Sequence, residues 1–302
     1  MSDVAVHVGL PKSGSSSIQA FLARNRARLA ARGVRYDQPM IDRWSQLEVG
    51  LAACQRAGVL VPDAMLRRRL GLATLADQAG PVRRLEAALA ARPPAAGERA
   101  VISSEHIGAW LTTPALRAAL DGWLRARFGR VRYVLVVRPQ DEFVLSSYSE
   151  SLRRGSARSL EAFVAGYDEL DVRAAMEAWD AEFGPRITVL LLPRGADAQR
   201  RLIERFCAAA GIEASGLSVP RRRNRALSAR AAAILRGLNR LLGRDLERGP
   251  VRRALFAALR RPVEAVFGFG PPLRLTEALR AALAARYPAP VAEWVAARGG
   301  AA

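Results

Sequence analysis

Near the start of the chain the apolar run Val4-Ala5-Val6 leads into His7-Val8-Gly9-Leu10-Pro11-Lys12-Ser13-Gly14-Ser15-Ser16-Ser17, and an amphipathic segment begins at Ile18. A short buried strand, a tight glycine-bearing turn and then a helix is the opening unit of an α/β sheet. The same order builds an anion site. Backbone N–H groups at a helix start point at the ligand, and the positive end of the helix dipole favours negative charge. Lys12 adds a mobile cation, and Ser15, Ser16 and Ser17 add hydroxyl donors.

Composition enters through the lysine. The chain carries 47 Lys plus Arg, and Lys12 is its only lysine. An ammonium is a compact point charge and a guanidinium a planar fork. A lone lysine kept inside an anion loop therefore points to a task the fork does not perform; chance survival is the bland alternative. The net charge of +19 favours an anionic partner, whether nucleotide, acidic polysaccharide, nucleic acid or membrane surface. Because the arginines are dispersed along an Arg- and Ala-rich chain, the charge permits such partners without selecting one.

Half of the 302 residues are hydrophobic and a quarter charged, the balance of a globular chain rather than a disordered one. No apolar stretch reaches about 18 residues without a charge, so no membrane span is expected. The first strand begins almost at once, leaving no room for a signal peptide, so a cytoplasmic protein is expected. Cys54 and Cys207 match no metal-ligand spacing and sit among apolar residues, and buried free thiols are expected.

Along the chain, Ile18, Phe21, Leu22 and Leu29 share one stripe of a helix over 18–32, with Gly33 as its C-cap. Val34-Arg35-Tyr36 reads as a short strand. Residues 40–92 read as helical, broken at Pro62 and near Gly80-Pro81. Residues 100–106 form a short apolar strand with polar residues at its carboxyl end, where open α/β sheets bind ligands. That places Ser104, Glu105 and His106, one of two histidines, well for chemistry. A helix over 114–128 follows, and then the clearest buried strand, 131–137, with Arg138 at its end. Ser146 lies two turns into a helix over 140–153. Residues 155–184 are mostly helical, with Trp179 and Phe183 as core anchors. A strand over 186–192 and a helix over 197–210 come next. Ser228 suits the N-cap of the helix after it, and 229–302 reads as a helical C-terminal extension.

Pro11-Lys12-Ser13-Gly14-Ser15-Ser16-Ser17 resembles the 5′-phosphosulfate loop of sulfotransferases that use 3′-phosphoadenosine 5′-phosphosulfate (PAPS), Pro-Lys-[Ser/Thr]-Gly-[Ser/Thr]-[Ser/Thr] at the end of the first strand. It is not a Walker A loop, since Ser15 stands at the lysine position of the Gly9-x4-Gly14 spacing. Arg138 and Ser146 resemble the same family's 3′-phosphate segment, where a guanidinium fork and a hydroxyl converge on one phosphate. Arg221-Arg222-Arg223-Asn224 is similar to its basic loop near that phosphate, with Arg223 as the carried-over contact. Where relatives carry Tyr-Glu-Asp, this chain has Pro193-Arg194-Gly195, so no adenine contact carries over. The resemblance covers about residues 4–228.

The resemblance implies one α/β domain over 1–302, a P-loop-like, mostly parallel central sheet flanked by helices. It implies transfer of a sulfuryl group from PAPS to an acceptor hydroxyl or amine, on a carbohydrate or glycolipid, with PAP as product and no metal. Lys12 would then be both a cofactor ligand and a catalytic cation. Glu105 is expected as the base, with His106 as the alternative. Residues 40–92 become either a cap shaping the acceptor pocket or helices covering a sheet face. Two other classes stay open: a deviant-Walker kinase or NTPase, which needs a Mg²⁺ ligand, and a basic binding module for anionic polymers. No nucleic-acid-binding signature accompanies the charge.

Overall fold

The computed structural model describes residues 2–93, 95–220, 227–242, 258–259, 262–268, 270–288 and 290–298. In chain order the elements are β1 (Asp3–Gly9), α1 (Ser15–Arg24), α2 (Arg26–Ala30), β2 (Val34–Arg35), α3 (Leu47–Arg56), α4 (Ala64–Leu70) and α5 (Leu75–Ala91). Then come β3 (Arg99–Ser104), α6 (Glu105–Trp110), α7 (Pro114–Arg125), β4 (Arg130–Val137), α8 (Gln140–Arg153) and α9 (Leu160–Ala165). They are followed by α10 (Val172–Phe183), β5 (Ile187–Leu191), α11 (Ala198–Ala210) and α12 (Ala229–Leu242), with further helices at Glu277–Arg286 and Val291–Ala297. The chain forms two compact units: Met1–Val137, Ala174–Arg223 and Ala292–Ala302 make the first, Arg138–Arg173 and Asn224–Val291 the second.

The first unit is an α/β layer structure. Its five strands are all parallel in the order β2-β3-β1-β4-β5. Strands buried on both faces read as continuous apolar runs, which is why β4 is so plain in the sequence. One face is sealed by α1, α2 and α11, whose Phe21, Leu22, Leu29 and Phe206 are fully buried with Ala5, Val101 and Val134 of the sheet. Each such side chain contributes about 1.5–3 kcal/mol. On the other face α3 packs with α5 and α7, and Tyr133 of β4 stacks on Phe183 at 4.1 Å with Trp179 beside them. Trp179 and Phe183 are thus the core anchors their sequence suggested. Cys54 and Cys207 are buried free thiols, their pKa values pushed up to about 11 and about 12 by burial.

Four elements differ from the sequence reading. The helix over 18–32 is two helices, broken at the buried Asn25, whose amide bridges two backbones: Nδ2 donates to Phe21 O and Ser218 O, and Oδ1 accepts from Ser218 N. Pro81 lies inside α5 instead of breaking it. A proline forfeits one ladder bond there, and the Thr74–Asp77 capping box and the buried Gln78, Val82 and Leu85 keep the helix whole. Residues 40–46 are not helical, since Gln46 docks on the end of β3: its N–H donates to Ser103 O at 3.1 Å and its Oε1 accepts from Ser103 N at 2.8 Å. Glu105 and His106 open α6 rather than ending a strand, because Ser104 Oγ accepts from His106 N and caps the helix.

In the second unit α8 packs on α12. Asn239 Nδ2 ties the two by donating to Leu152 O and Ser156 O at 2.9 and 2.7 Å. Ser228 Oγ accepts from Ala231 N and caps α12 as its sequence suggested. From α12 to Val291 the described residues are helical apart from 268 and 270–276 and the ends of the last helices, and belong with α8 and α9 in this unit, whereas Ala292–Ala302 belongs to the first.

Candidate active site

β1 is central, and its connecting helix lies on the sheet face opposite to the helices that follow β3. The carboxyl end of β1 is therefore a switch point, the crevice where open α/β sheets take their ligands. The loop Leu10–Gly14 sits there. Ser13 N–H donates to Leu10 O at 3.3 Å and closes the turn, and Ser13 Oγ donates to Pro11 O. Lys12 has φ 61°, the one non-glycine residue with positive φ among those described. A left-handed conformation costs a side-chain-bearing residue roughly 1–2 kcal/mol.

Two glycines make the turn fit. Gly14 has φ 87°, and a Cβ there would lie 2.7 Å from Leu202 Cδ2. A Cβ on Gly9 would overlap Ser15 Oγ and come within 2.8 Å of Glu105 Cα. Gly108 in turn faces the Gly9 carbonyl so closely that its own Cβ would stand 2.5 Å from that oxygen. The end of β1, the start of α1 and the helix α6 thus meet through three Cβ-free or backbone surfaces. That packing sets the first turn of α6, with Glu105, against Gly9 at the base of the Lys12 loop.

Helical hydrogen bonding begins at Ser17, whose N–H donates to Gly14 O at 2.9 Å. The amides ahead of it are the orphan donors of a helix start. Ser15 Oγ is enclosed against Gly9 and has no hydrogen-bond partner within the protein. Ser16 is exposed and Ser17 half-buried. Amides, one unspent buried hydroxyl and a cation make a cradle suited to a phosphate- or sulfate-like group.

Below the loop, His7 is fully buried on β1. Its Nδ1 lies 2.8 Å from Ser103 Oγ, and its ring meets Phe206 edge-on at 5.6 Å. Burial drives its pKa down to about 3, so the ring is neutral. It braces β1 against β3 just under the turn.

On α6, His106 is half-buried beside Trp110, with ring centroids 4.6 Å apart. Its Nδ1 lies 2.9 Å from Ser45 Oγ, which lies 2.9 Å from Ser104 Oγ. Burial lowers the imidazole pKa, opposed by the carboxylates of Glu105, Asp42 and Asp63, so the neutral ring prevails near pH 7. Ser45 and Gln46 were missed from sequence, because nothing in Trp44-Ser45-Gln46 signals a segment that hooks onto the end of β3, 59 and 57 positions further along the chain. Glu105 is half-buried at the first position of α6, where a carboxylate suits the helix dipole.

Arg138 and Ser146 lie in the second unit. Arg138 is half-buried directly after β4, Pro139 is the N-cap of α8, and Ser146 is half-buried in its second turn. Arg221, Arg222, Arg223 and Asn224 lie outside the described residues. Set against protein-family models and curated proteins, the chain matches none of either, so the reading of this site rests on its own residues and geometry.

Proposed function

We propose that the chain is a sulfotransferase of P-loop-like fold that moves a sulfuryl group from PAPS to an acceptor hydroxyl or amine. The observation that carries this reading is Lys12, the chain's only lysine, held at φ 61° in a glycine-framed loop at the end of the central strand. The enclosed, partnerless Ser15 hydroxyl beside it fits a tetrahedral anion in the cradle. Bound PAPS supplies the activated sulfuryl group, whose bond to the bridging oxygen breaks as a bond to the acceptor forms.

In this reading the amides at the start of α1, with Ser13, Gly14, Ser15, Ser16 and Ser17, hold the 5′-phosphosulfate, and Lys12 donates to the oxygen on which charge develops. Arg138 and Ser146 serve the 3′-phosphate, and Arg223 remains a sequence-based candidate for it. Of the two bases, the hydrogen-bonded chain Ser104–Ser45–His106 favours His106. With Nδ1 spent on Ser45, Nε2 is the ring nitrogen left to take the acceptor's proton. Glu105, one residue earlier, is the alternative.

The phosphoryl-transfer reading shares the loop position but asks for a lysine where Ser15 stands and a carboxylate where Arg138 ends β4. Calorimetry with PAP and with ATP, each with Mg²⁺ and with EDTA, tests the choice. PAP binding that EDTA leaves unchanged is expected. ATP binding that strictly requires Mg²⁺, with no PAP binding, would overturn the sulfotransferase reading. No binding of either nucleotide would return the chain to the class of basic binding modules.

A further inference from the structure

On the sheet face that carries α3, α5 and α7, a cavity of about 210 Å³ opens beside β3. Ala100, in its wall, pairs with Val4, five residues before Gly9. At about 3.3 Å per residue that end of the cavity is roughly 16 Å down the sheet from the Lys12 loop. Its near end, Ile102 opposite Val6 with Gln46 beside it, is about 10 Å below Gly9, so the cavity lies beneath the candidate active site and opens away from it. Val49, Leu85, Leu89, Trp123 and Phe128 make most of the wall, and the exposed Met40, Ala88 and Arg92 stand at its mouth.

The polar groups around it are spoken for, with one exception. Arg35 pairs with Asp37 at 2.8 Å and donates to Arg92 O at 2.6 Å. Gln46 spans Asp37 O and Ser103 N, and Trp123 Nε1 donates to Glu86. Glu48 is different. It is 2% exposed, its Oε1 accepts from Met40 N at 3.1 Å, and its Oε2 is enclosed with no partner. Burial pushes the carboxyl pKa upward. A buried carboxyl oxygen left unpaired in an apolar wall is unfavourable and asks for a partner.

We infer that this cavity binds a small apolar alcohol or phenol whose hydroxyl pairs with Glu48 Oε2. A hydroxyl both donates and accepts, so it suits the carboxyl in either protonation state, whereas an anionic ligand would face a carboxylate and an ammonium would suit only the ionised form. The size agrees: an apolar cavity of about 150 Å³ takes benzene, so this one takes a ring with a substituent. Trp123 and Phe128 offer aromatic surfaces for such a ring. The inference is independent of sulfuryl transfer.

Calorimetry of the full chain with p-cresol and p-xylene tests it, since the two differ only in a hydroxyl against a methyl. Saturable 1:1 binding of p-cresol is expected, about tenfold tighter than p-xylene. In Glu48→Leu the preference should fall to about twofold or less. Ala88→Trp, at the exposed rim, should lose both ligands while keeping the wild-type circular dichroism and thermal midpoint. Equal affinity of the wild type for the two compounds, or no p-cresol binding, overturns the inference. So does a folded Ala88→Trp variant that binds p-cresol as the wild type does. Should Glu48→Leu fail to fold, the wild-type ratio and Ala88→Trp decide alone. PAP binding is read in a separate titration, so loss of one site leaves the other standing.

Discussion

Ser45 Oγ lies 2.9 Å from His106 Nδ1, and the same oxygen lies 2.9 Å from Ser104 Oγ. A segment ahead of α3 is thereby joined to the first turn of α6. In the tautomer a base requires, Nδ1–H donates to Ser45 Oγ, the Ser45 hydroxyl donates to Ser104 Oγ, and the Nε2 lone pair is free to accept a proton. Ser45 is a positioning residue in this scheme, acting only through the imidazole.

Its removal should therefore change turnover without changing substrate affinity. Ser45→Ala is expected to lower kcat about tenfold, leave KM for PAPS within about twofold, and shift the pH–rate profile. Ser45→Thr keeps the hydroxyl and should restore most of the rate. His106→Ala should lose about 10²–10⁴ in kcat, and Glu105→Gln should retain substantial activity. If Glu105→Gln alone abolishes transfer while PAP affinity is intact, the base is Glu105 and Ser45 is only structural.

Lys12 separates stability from turnover. Its backbone at φ 61° disfavours any side chain, so Lys12→Gly should raise the free energy of unfolding by about 1 kcal/mol. The same variant should lose about 10²–10³ in kcat, because a cation aimed at developing charge is worth most in the transition state. Lys12→Ala should lose the rate without the gain in stability. Denaturant titration and steady-state kinetics on the two variants check both halves. A Lys12→Gly enzyme with wild-type turnover would mean that the lysine is only an anchor.

What could be read in the sequence was whatever local chemistry dictates. The strand–loop–helix of β1 and α1, the buried run of β4 and the Ser228 cap of α12 all follow from residues within a turn of one another, and Gly33 takes φ 70° in the turn just past α2, whose C-cap is Ala31. The break at Asn25 was illegible because its partner, Ser218, is 193 positions away. The approach of Gly108 to Gly9 was equally hidden, since Gly108 is explained by the carbonyl of Gly9 and Gly9 by Ser15 and the backbone of Glu105. Ser45 and Gln46 depend on the edge of β3 in the same way. The loop half of the candidate site was therefore visible, and the half that orients His106 was not.

His7 should mark the acid side of the stability curve. In the unfolded chain its imidazole titrates near its ordinary 6.5, and in the folded protein only near 3. Between those values the unfolded state binds more protons, so stability falls as pH drops from about 6.5 towards about 3, and this group adds no slope above 6.5. Each unit is worth about 1.4 kcal/mol, so the window amounts to a few kcal/mol. His7→Asn keeps a partner for Ser103 Oγ but does not titrate. Urea titrations from pH 4 to pH 8 should show a flatter profile for the variant. An unchanged slope would mean that His7 is protonated in the fold after all.

Ser15 offers the most direct test of whether the cradle is built for a ligand. Its hydroxyl is 3% exposed, sits against Gly9, and has no partner within the protein. An enclosed polar group without a partner destabilises a fold by about 1–3 kcal/mol, and removing it relieves that penalty. Ser15→Ala should therefore leave the unliganded protein as stable as the wild type or slightly more so. If the hydroxyl is kept for an anion, the same change removes a donor to that anion and should weaken PAP binding about tenfold. The two readouts move in opposite directions, which a purely structural serine cannot do. Thermal denaturation with and without PAP measures both in one experiment: the Ser15→Ala midpoint should match or exceed the wild type alone and rise less with PAP. A variant that loses stability without PAP and gains as much from it as the wild type would show that the hydroxyl serves the loop and not a ligand.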